Sequence, residues 1–461
     1  MKRFVLPIVL ASFVLGSALD AQAGKKRKKR APAPAPPTTA EILMAAGHVP
    51  VDGPAEVVDS TDLGVKTPIL DPAGAALKHF HDSLRATARG EDKTRIAVFG
   101  ASHMAGDMFT RVLRHRLQER FGDAGPGFLV PAWPWRDYNH RDVNISYNKK
   151  RWDSYWVSRT RSRVDDDLYG LAGITFESAD KRAQVEISTA RRSEFGRSAK
   201  TIEVFYWKQP RGGDFYITLD GKRKRVKTRA KEAGPAYATF VLEDAAHTIK
   251  IRPRGNGKVT LFGVALDRDV KGVVMDSMGI NGARASAQLE WNPRLFADHI
   301  SRRDPDLVVL AYGTNAIGDM DDPIEAYEKR FDLVVNRVKS LLPESSCVVI
   351  GPSDRPVKVK PPEGDKKTPM RFIKRPRQAQ VIEVQKRISA RYGCGFWDMA
   401  AASGGDLSML TWVSSEPRLA ARDYVHFTRR GYERMADLFW DELMGPFQME
   451  SVGESAQSGA P

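Results

Sequence analysis

Residues 96–107 read Ile-Ala-Val-Phe-Gly-Ala-Ser-His-Met-Ala-Gly-Asp, an apolar run of strand type that stops at a Gly-Ala-Ser-His turn. A helix-like pattern follows from Met108 to Phe121. A strand handed directly to a helix points to an α/β arrangement. It also holds the residue at the turn, Ser102, clear of its own backbone. Unpaired N–H groups at a helix start favour negative charge beside it, which suits a nucleophile. The same place suits a helix-capping serine. The turn alone leaves both readings open.

The rest of the chain alternates in the same way at its two ends. A helix pattern spans Ala73–Ala88, with Leu77, Phe80, Leu84 and Ala88 on one face. After the Ser102 turn the α/β rhythm stops, and it resumes at Gly272–Asp276. Strand Asp306–Tyr312, helix Pro323–Leu342, strand Cys347–Ile350, helix Gln378–Tyr392, strand Gly395–Asp398 and helix Arg430–Leu443 then follow. Such alternation implies a parallel sheet covered on both faces, with functional residues at the strand C-terminal ends. Residues 135–268 differ. Short alternating strands are expected at Ala183–Thr189, Ile202–Trp207, Phe215–Leu219, Tyr237–Leu242, Thr248–Ile251 and Val259–Leu266, with Asp220-Gly221 as a hairpin turn. This segment reads as a β-sandwich inserted into the α/β domain. Its Trp152, Tyr155, Trp156, Tyr206 and Trp207 can stack on sugars, but core packing is the commoner use of such residues.

The N-terminus carries Met1-Lys2-Arg3, an apolar run from Phe4 to Leu19, and Ala21-Gln22-Ala23. That pattern is expected of a signal peptide (1–23) cleaved after Ala23, which makes the mature protein periplasmic or secreted. Residues 24–40 hold the block Lys25–Arg30 and a Pro/Ala run, expected to form an extended linker. The net charge is +15. Behind an export signal, the basic block suits an anionic envelope polymer or lipid headgroup rather than nucleic acid; a solvated tail without a partner is the alternative. Residues 41–72 are expected to wrap the domain surface, and 447–461 to form a disordered tail. The two cysteines, Cys347 and Cys394, can pair in an oxidising compartment. They are too few for a metal site, and no ligand-spaced His/Asp cluster appears.

Three further segments sit at expected strand ends or loops: Asp276–Arg284, Tyr312–Asn315 and Asp423–His426. Together with the Ser102 turn, in this order, they resemble the SGNH (GDSL-type) hydrolase superfamily. The match covers roughly residues 90–130 and 270–446. The resemblance implies a flavodoxin-like parallel sheet with helices on both faces, formed by 41–134 and 269–446, with the β-sandwich inserted at 135–268. It implies Ser102 as nucleophile, His426 as base and Asp423 as the acid behind it. The oxyanion hole would come from the Ser102 and Gly282 amides and the Asn315 side chain. The inserted β-domain and the Gly-Ile-Asn-Gly-Ala and Tyr-Gly-Thr-Asn segments look most like bacterial peptidoglycan O-acetylesterases, whose inserted domain resembles a carbohydrate-binding module.

That closer resemblance implies removal of O-acetyl groups from an acetylated glycan, peptidoglycan foremost, with no metal, cofactor or nucleic-acid partner. The alternatives are an O-acetyltransferase with the same triad and a glycan-binding protein with a degenerate SGNH domain. Ala101 is the main departure, because the family usually has Asp between the Gly and the Ser. Weaker preorganisation, or compensation by Asp107 or His103, is the expectation. Gly279 competes with Gly282 for the oxyanion role. His103 is expected to be structural, Asp107 and Asp319 to be caps or loop residues, and His79, His81, His115, His140, His247 and His299 to lack partners.

Overall fold

The apolar runs form a five-stranded parallel sheet. In the computed structural model, which describes residues 36–157, 166–361, 365 and 368–447, the strand order is Val273–Gly279, Thr94–Gly100, Leu307–Ala311, Ser346–Ile350, Gly395–Trp397. All neighbours run parallel. By chain position this is 2-1-3-4-5, the flavodoxin-like order, and the fold class is the expected one. The expected leader, residues 24–35 of the linker and residues 448–461 of the tail lie outside the described residues.

Period-two alternation divides the strand side chains between two cores. Ala97, Phe99, Val308, Leu310, Cys347 and Val349 face one side, covered by helices Pro293–Arg303, Ile324–Leu341 and Pro376–Arg391. Ile96, Val98, Leu307, Val309, Val348 and Ile350 face the other, covered by helices Lys78–Ala88, Phe109–Phe121 and Arg429–Met444. The first helix begins five residues later than expected, and Thr87 rather than Ala88 is buried. Cys347 and Cys394 form a disulfide across the neighbouring strands Ser346–Ile350 and Gly395–Trp397. Residues 39–70 wrap the sheet, with Val51–Asp52 pairing Arg371–Phe372, Val58–Asp59 pairing Ser415–Glu416, and Leu70 bridging to Phe396.

The middle of the chain forms two antiparallel sheets. One has the order Lys222–Lys227, Asp214–Leu219, Thr248–Pro253, Val185–Thr189, Val143–Tyr147. The other has Gly234–Ala245, Ala199–Lys208, Val259–Asp267, Ile174–Ser178, Asp153–Trp156. Gly127–Leu129, which precedes the expected insertion, also pairs with Val264–Leu266. Asp220 and Gly221 both take positive φ (47° and 86°), the twist a two-residue hairpin needs. Trp152, Trp156 and Tyr206 are buried, and Tyr155 and Trp207 pack against the same core.

The central strand of the second sheet, Val259–Asp267, is buried on both faces because the sandwich packs on the α/β layer. Phe205 and Phe262 sit edge-on to the His299 ring, each with centroids 5.2 Å away. Arg302 stacks over Tyr237 at 4.0 Å and donates to Glu203 at 2.6 Å. Arg303, buried, binds Asp267 of the sandwich at 2.6 Å and Asp276 of the parallel sheet at 2.7 Å. Core residues therefore run without a break from the sandwich to one face of the parallel sheet.

Candidate active site

In an open sheet of this order, the crevice lies at the strand C-terminal ends, between the first and third strands by chain order. Ser102 follows the first strand and opens the short helix Ser102–Ala105. Asn315 follows the third strand, Leu307–Ala311. The Gly282 loop follows the second, Val273–Gly279, which runs three residues past the Asp276 end expected from sequence. The Asp423–His426 loop precedes the last helix, Arg429–Met444.

These segments bring together side chains more than 300 residues apart. His426 Nε2 lies 2.8 Å from Ser102 Oγ, and His426 Nδ1 lies 2.7 Å from Asp423 Oδ2. The loop turns through Tyr424 with φ 63°. The other Asp423 oxygen accepts from the Val425 and His426 amides at 2.9 and 3.0 Å. Burial pushes the Asp423 carboxyl up, but the His426 ring and these two amides outweigh it and hold the carboxyl well below the usual carboxylate range. Asp423 is thus an anion fixed by its own loop and aimed at the His426 ring. The ring's other nitrogen is left for Ser102.

Two loops flank the serine. Gly282 takes φ 75°, with open space where a Cβ would stand, so its glycine meets a backbone requirement rather than a packing one. Gly279 is the reverse case: a Cβ there would lie 2.3 Å from the Ala105 nitrogen. Its role is close packing of the second strand against the Ser102 helix. Asn315 donates one side-chain N–H to the Ala283 carbonyl at 3.0 Å, which leaves its second N–H for a ligand.

Ala101 is buried, and its amide donates to the Ala311 carbonyl at 3.3 Å. Asp107 is committed elsewhere: buried, it binds Thr110 at 2.7 Å and Arg114 at 2.8 Å, and Asp142 also binds Arg114, at 2.5 Å. It lies in the bend between the helices Ser102–Ala105 and Phe109–Phe121, as expected of a loop residue, and it ties the Ser102 segment to the start of the sandwich. His103 lies beneath His426, with ring centroids 5.5 Å apart. Its nitrogens lie 3.0 Å from Tyr432 Oη and 3.0 Å from Ser353 Oγ. Ser353 in turn bonds the Thr314 hydroxyl. Burial, with His426 beside it, pushes His103 down to about 3, so the ring is neutral at neutral pH. His103 thus joins the loops after the first, third and fourth strands.

Asp319 is the C-cap of the short helix Ala316–Gly318, as expected of a cap or loop residue, and its carboxylate binds Arg284 Nε at 2.6 Å, beside the Gly282 loop. Arg355 donates to the Thr314 carbonyl at 3.1 Å. Neither Arg284, Arg355 nor Ser353 carries a motif, although the position of Ser353 just past the fourth strand was an available signal. Several histidines expected to lack partners have them: His115 with Asp142, His247 with Asp220, His79 with Asp306 and His81 with the Leu443 carbonyl.

Residues 252–434 match the model of the GDSL-like lipase/acylhydrolase family. A structure of a peptidoglycan O-acetylesterase superposes with a TM-score of 0.65 at 24% identity, covering 82% of this chain and 98% of its own. The fold is that of the SGNH hydrolases. A family two carbohydrate esterase from Cellvibrio japonicus also aligns, at 9% identity over 66% of this chain and 98% of its own, but its TM-score of 0.25 carries no argument. No curated protein matches the sequence. Its parallel sheet is the one that presents the loops described above.

Proposed function

We propose that this protein is an SGNH hydrolase, an exported carbohydrate O-acetylesterase acting on O-acetylated peptidoglycan, with Ser102, His426 and Asp423 as its triad. The observation that carries the reading is the unbroken hydrogen-bond chain from Asp423 through His426 to Ser102 at the sheet's switch point. The choice of peptidoglycan takes up what the similar esterase acts on. Export follows from the leader-like N-terminus, and the basic block Lys25–Arg30 is a contact to an anionic envelope.

His426 Nε2 takes the Ser102 proton as Oγ attacks the acetyl carbonyl carbon. Asp423 fixes the ring tautomer and stabilises the imidazolium that forms. The oxyanion is met by the Ser102 and Gly282 amides and the free Asn315 N–H. His426 then protonates the departing sugar oxygen, which leaves acetyl on Ser102. Water, deprotonated by the same ring, attacks this ester, and acetate leaves as Oγ recovers its proton.

The test is acetate release from O-acetylated peptidoglycan and from acetylated xylan, by wild type and Ser102→Ala. We expect preference for peptidoglycan, and a fall of at least about 10³-fold in kcat for the variant. Equal rates for the two proteins would remove Ser102 from the mechanism. Preference for xylan would overturn the substrate, and acetyl transfer to added glycan in excess of acetate release would overturn hydrolysis.

A further inference from the structure

Charge is concentrated in the inserted segment. Residues 135–268 carry 28 Lys and Arg against 17 Asp and Glu, a net +11 of the chain's +15. Strand register gathers part of it on one face. Tyr216 pairs with Arg225 and Arg252, and Thr218 with Arg223 and Lys250. Directly paired residues share a face of a sheet. The opposite face, with Phe215, Ile217, Ile249 and Ile251, is core. Arg223, Lys250 and Arg252 are therefore outward and exposed, and Lys181 and Arg254 join them from the flanking loops. Together with Tyr216 they line a depression of about 370 Å³ whose lining contains no carboxylate.

Neutralisation of this face is partial. Glu186 lies 3.1 Å from Lys250, and Asp214 is shared by Arg225 and Arg254. Among the described residues no carboxylate pairs with Lys181, Arg223 or Arg252. Basic residues on an edge strand often only guard against sheet-to-sheet aggregation, and Lys222–Lys227 is such a strand. Lys250 and Arg252 lie on Thr248–Pro253, the central strand of the five, where no edge needs guarding.

We propose that this outer sheet face is a docking site for a polyanionic polysaccharide, a glycan bearing carboxylates along its length. It would hold the polymer by charge, apart from the chemistry at Ser102. The alternating basic side chains suit anions repeated along a chain, and such a field raises the local concentration of polymer. The Tyr216 ring is covered by the Arg223 guanidinium at 4.6 Å, so the face offers no open aromatic platform on which nucleic-acid bases could stack. The choice of polymer rests on the carbohydrate-esterase reading; the site itself does not.

Binding of the Ser102→Ala protein to polygalacturonate, neutral dextran and duplex DNA tests the site without turnover. We expect polygalacturonate to bind at low salt and to weaken at least about tenfold above physiological ionic strength, as screening requires. Dextran is expected not to bind, and DNA to bind more weakly than polygalacturonate. Arg223→Glu/Arg252→Glu should weaken polygalacturonate binding at least about tenfold, whereas Lys66→Glu/Lys329→Glu, with the same charge change on exposed sites elsewhere, should leave it within about twofold. Thermal melts check that each variant folds, and Lys181→Glu replaces the Arg double variant if that one does not. Equal losses in both double variants, dextran binding as tight as polygalacturonate, or tighter binding of DNA would each overturn the proposal. Acetate release by the wild type, measured in parallel, separates the two readings: release without polymer binding sinks the docking face alone, and binding without release sinks the esterase alone.

Discussion

At the residue scale, the proposed chemistry depends on donors and acceptors left unused in the resting site. Asn315 shows this. One of its side-chain N–H groups is held by the Ala283 carbonyl, which fixes the amide plane, and the other has no assigned partner. A donor held in place before the reaction stabilises the oxyanion more than the ground-state carbonyl. Asn315→Ala is therefore expected to lower kcat by about 10²–10³ and to move KM little. A change confined to KM, measured on a soluble acetyl ester, would assign Asn315 to substrate binding instead. Ala101 is read the same way. Ala101 offers no carboxylate to link the Ser102 and Asn315 loops, and a neutral His103 links them, through Ser353 and Thr314.

At the element scale, the loop after strand Ser346–Ile350 holds Asp354, whose carboxylate caps the helix Ser408–Ser414 by accepting the Met409 amide at 3.1 Å. Burial pushes its carboxyl up to about 6, only partly offset by the amides it accepts, with Asp406 adding repulsion. A raised folded-state value means that the protonated form is favoured on folding. The group's contribution to stability is complete below the unfolded value near 4 and is lost as pH rises through 6. Asp354→Asn keeps an acceptor for Met409 without the charge. It should gain on the order of 2–3 kcal/mol over wild type at neutral pH and little at pH 4. Tm measured across this range for both proteins would show the gap opening with pH, and a gap that closes with pH would refute the assignment. Legibility from sequence also divides at this scale. The five parallel strands were readable because each contains an apolar run between two covering layers, although Asp276 and Ser277 break that run in Val273–Gly279 and hid its last three residues. The strand Lys222–Lys227 was not, because an edge strand with a single inward residue, Val226, shows no alternation. The short helices Met399–Ser403 and Ser408–Ser414 were missed as well, since neither is long enough to display a period. In the candidate site, the residues that carry motif spacing were nameable in advance. Arg284 and Arg355 act through contacts across loops that local sequence does not show, and Ser353 offered only its position just past the fourth strand.

At the scale of the whole molecule, the chain has two architectures, and one of its cores runs through both. The helix Pro293–Arg303 lies between them. Its His299 ring fills the aromatic cluster of the sandwich, and Arg303 bridges Asp267 of the sandwich and Asp276 of the parallel sheet. Burial works against the Arg303 charge, but the two carboxylates outweigh it and hold its value well above the ordinary one. Asp267 is in turn held below the usual carboxylate range: burial raises it, and Arg303 overrides that. Removing the cation alone strands two anions, Asp276 buried and Asp267 half-buried, so Arg303→Met should cost about 3–5 kcal/mol. The triple variant Arg303→Met/Asp267→Asn/Asp276→Asn removes all three charges and should recover much of that loss, because the burial penalty then vanishes along with the attraction. Because the core crosses the junction, the wild type is expected to melt in a single calorimetric transition. Arg303→Met should lower that transition without splitting it. Two resolved transitions in the wild type, or a variant in which the sandwich melts while the parallel sheet stays at the wild-type temperature, would show that the two parts fold independently and that Arg303 is a surface tether rather than part of a shared interior.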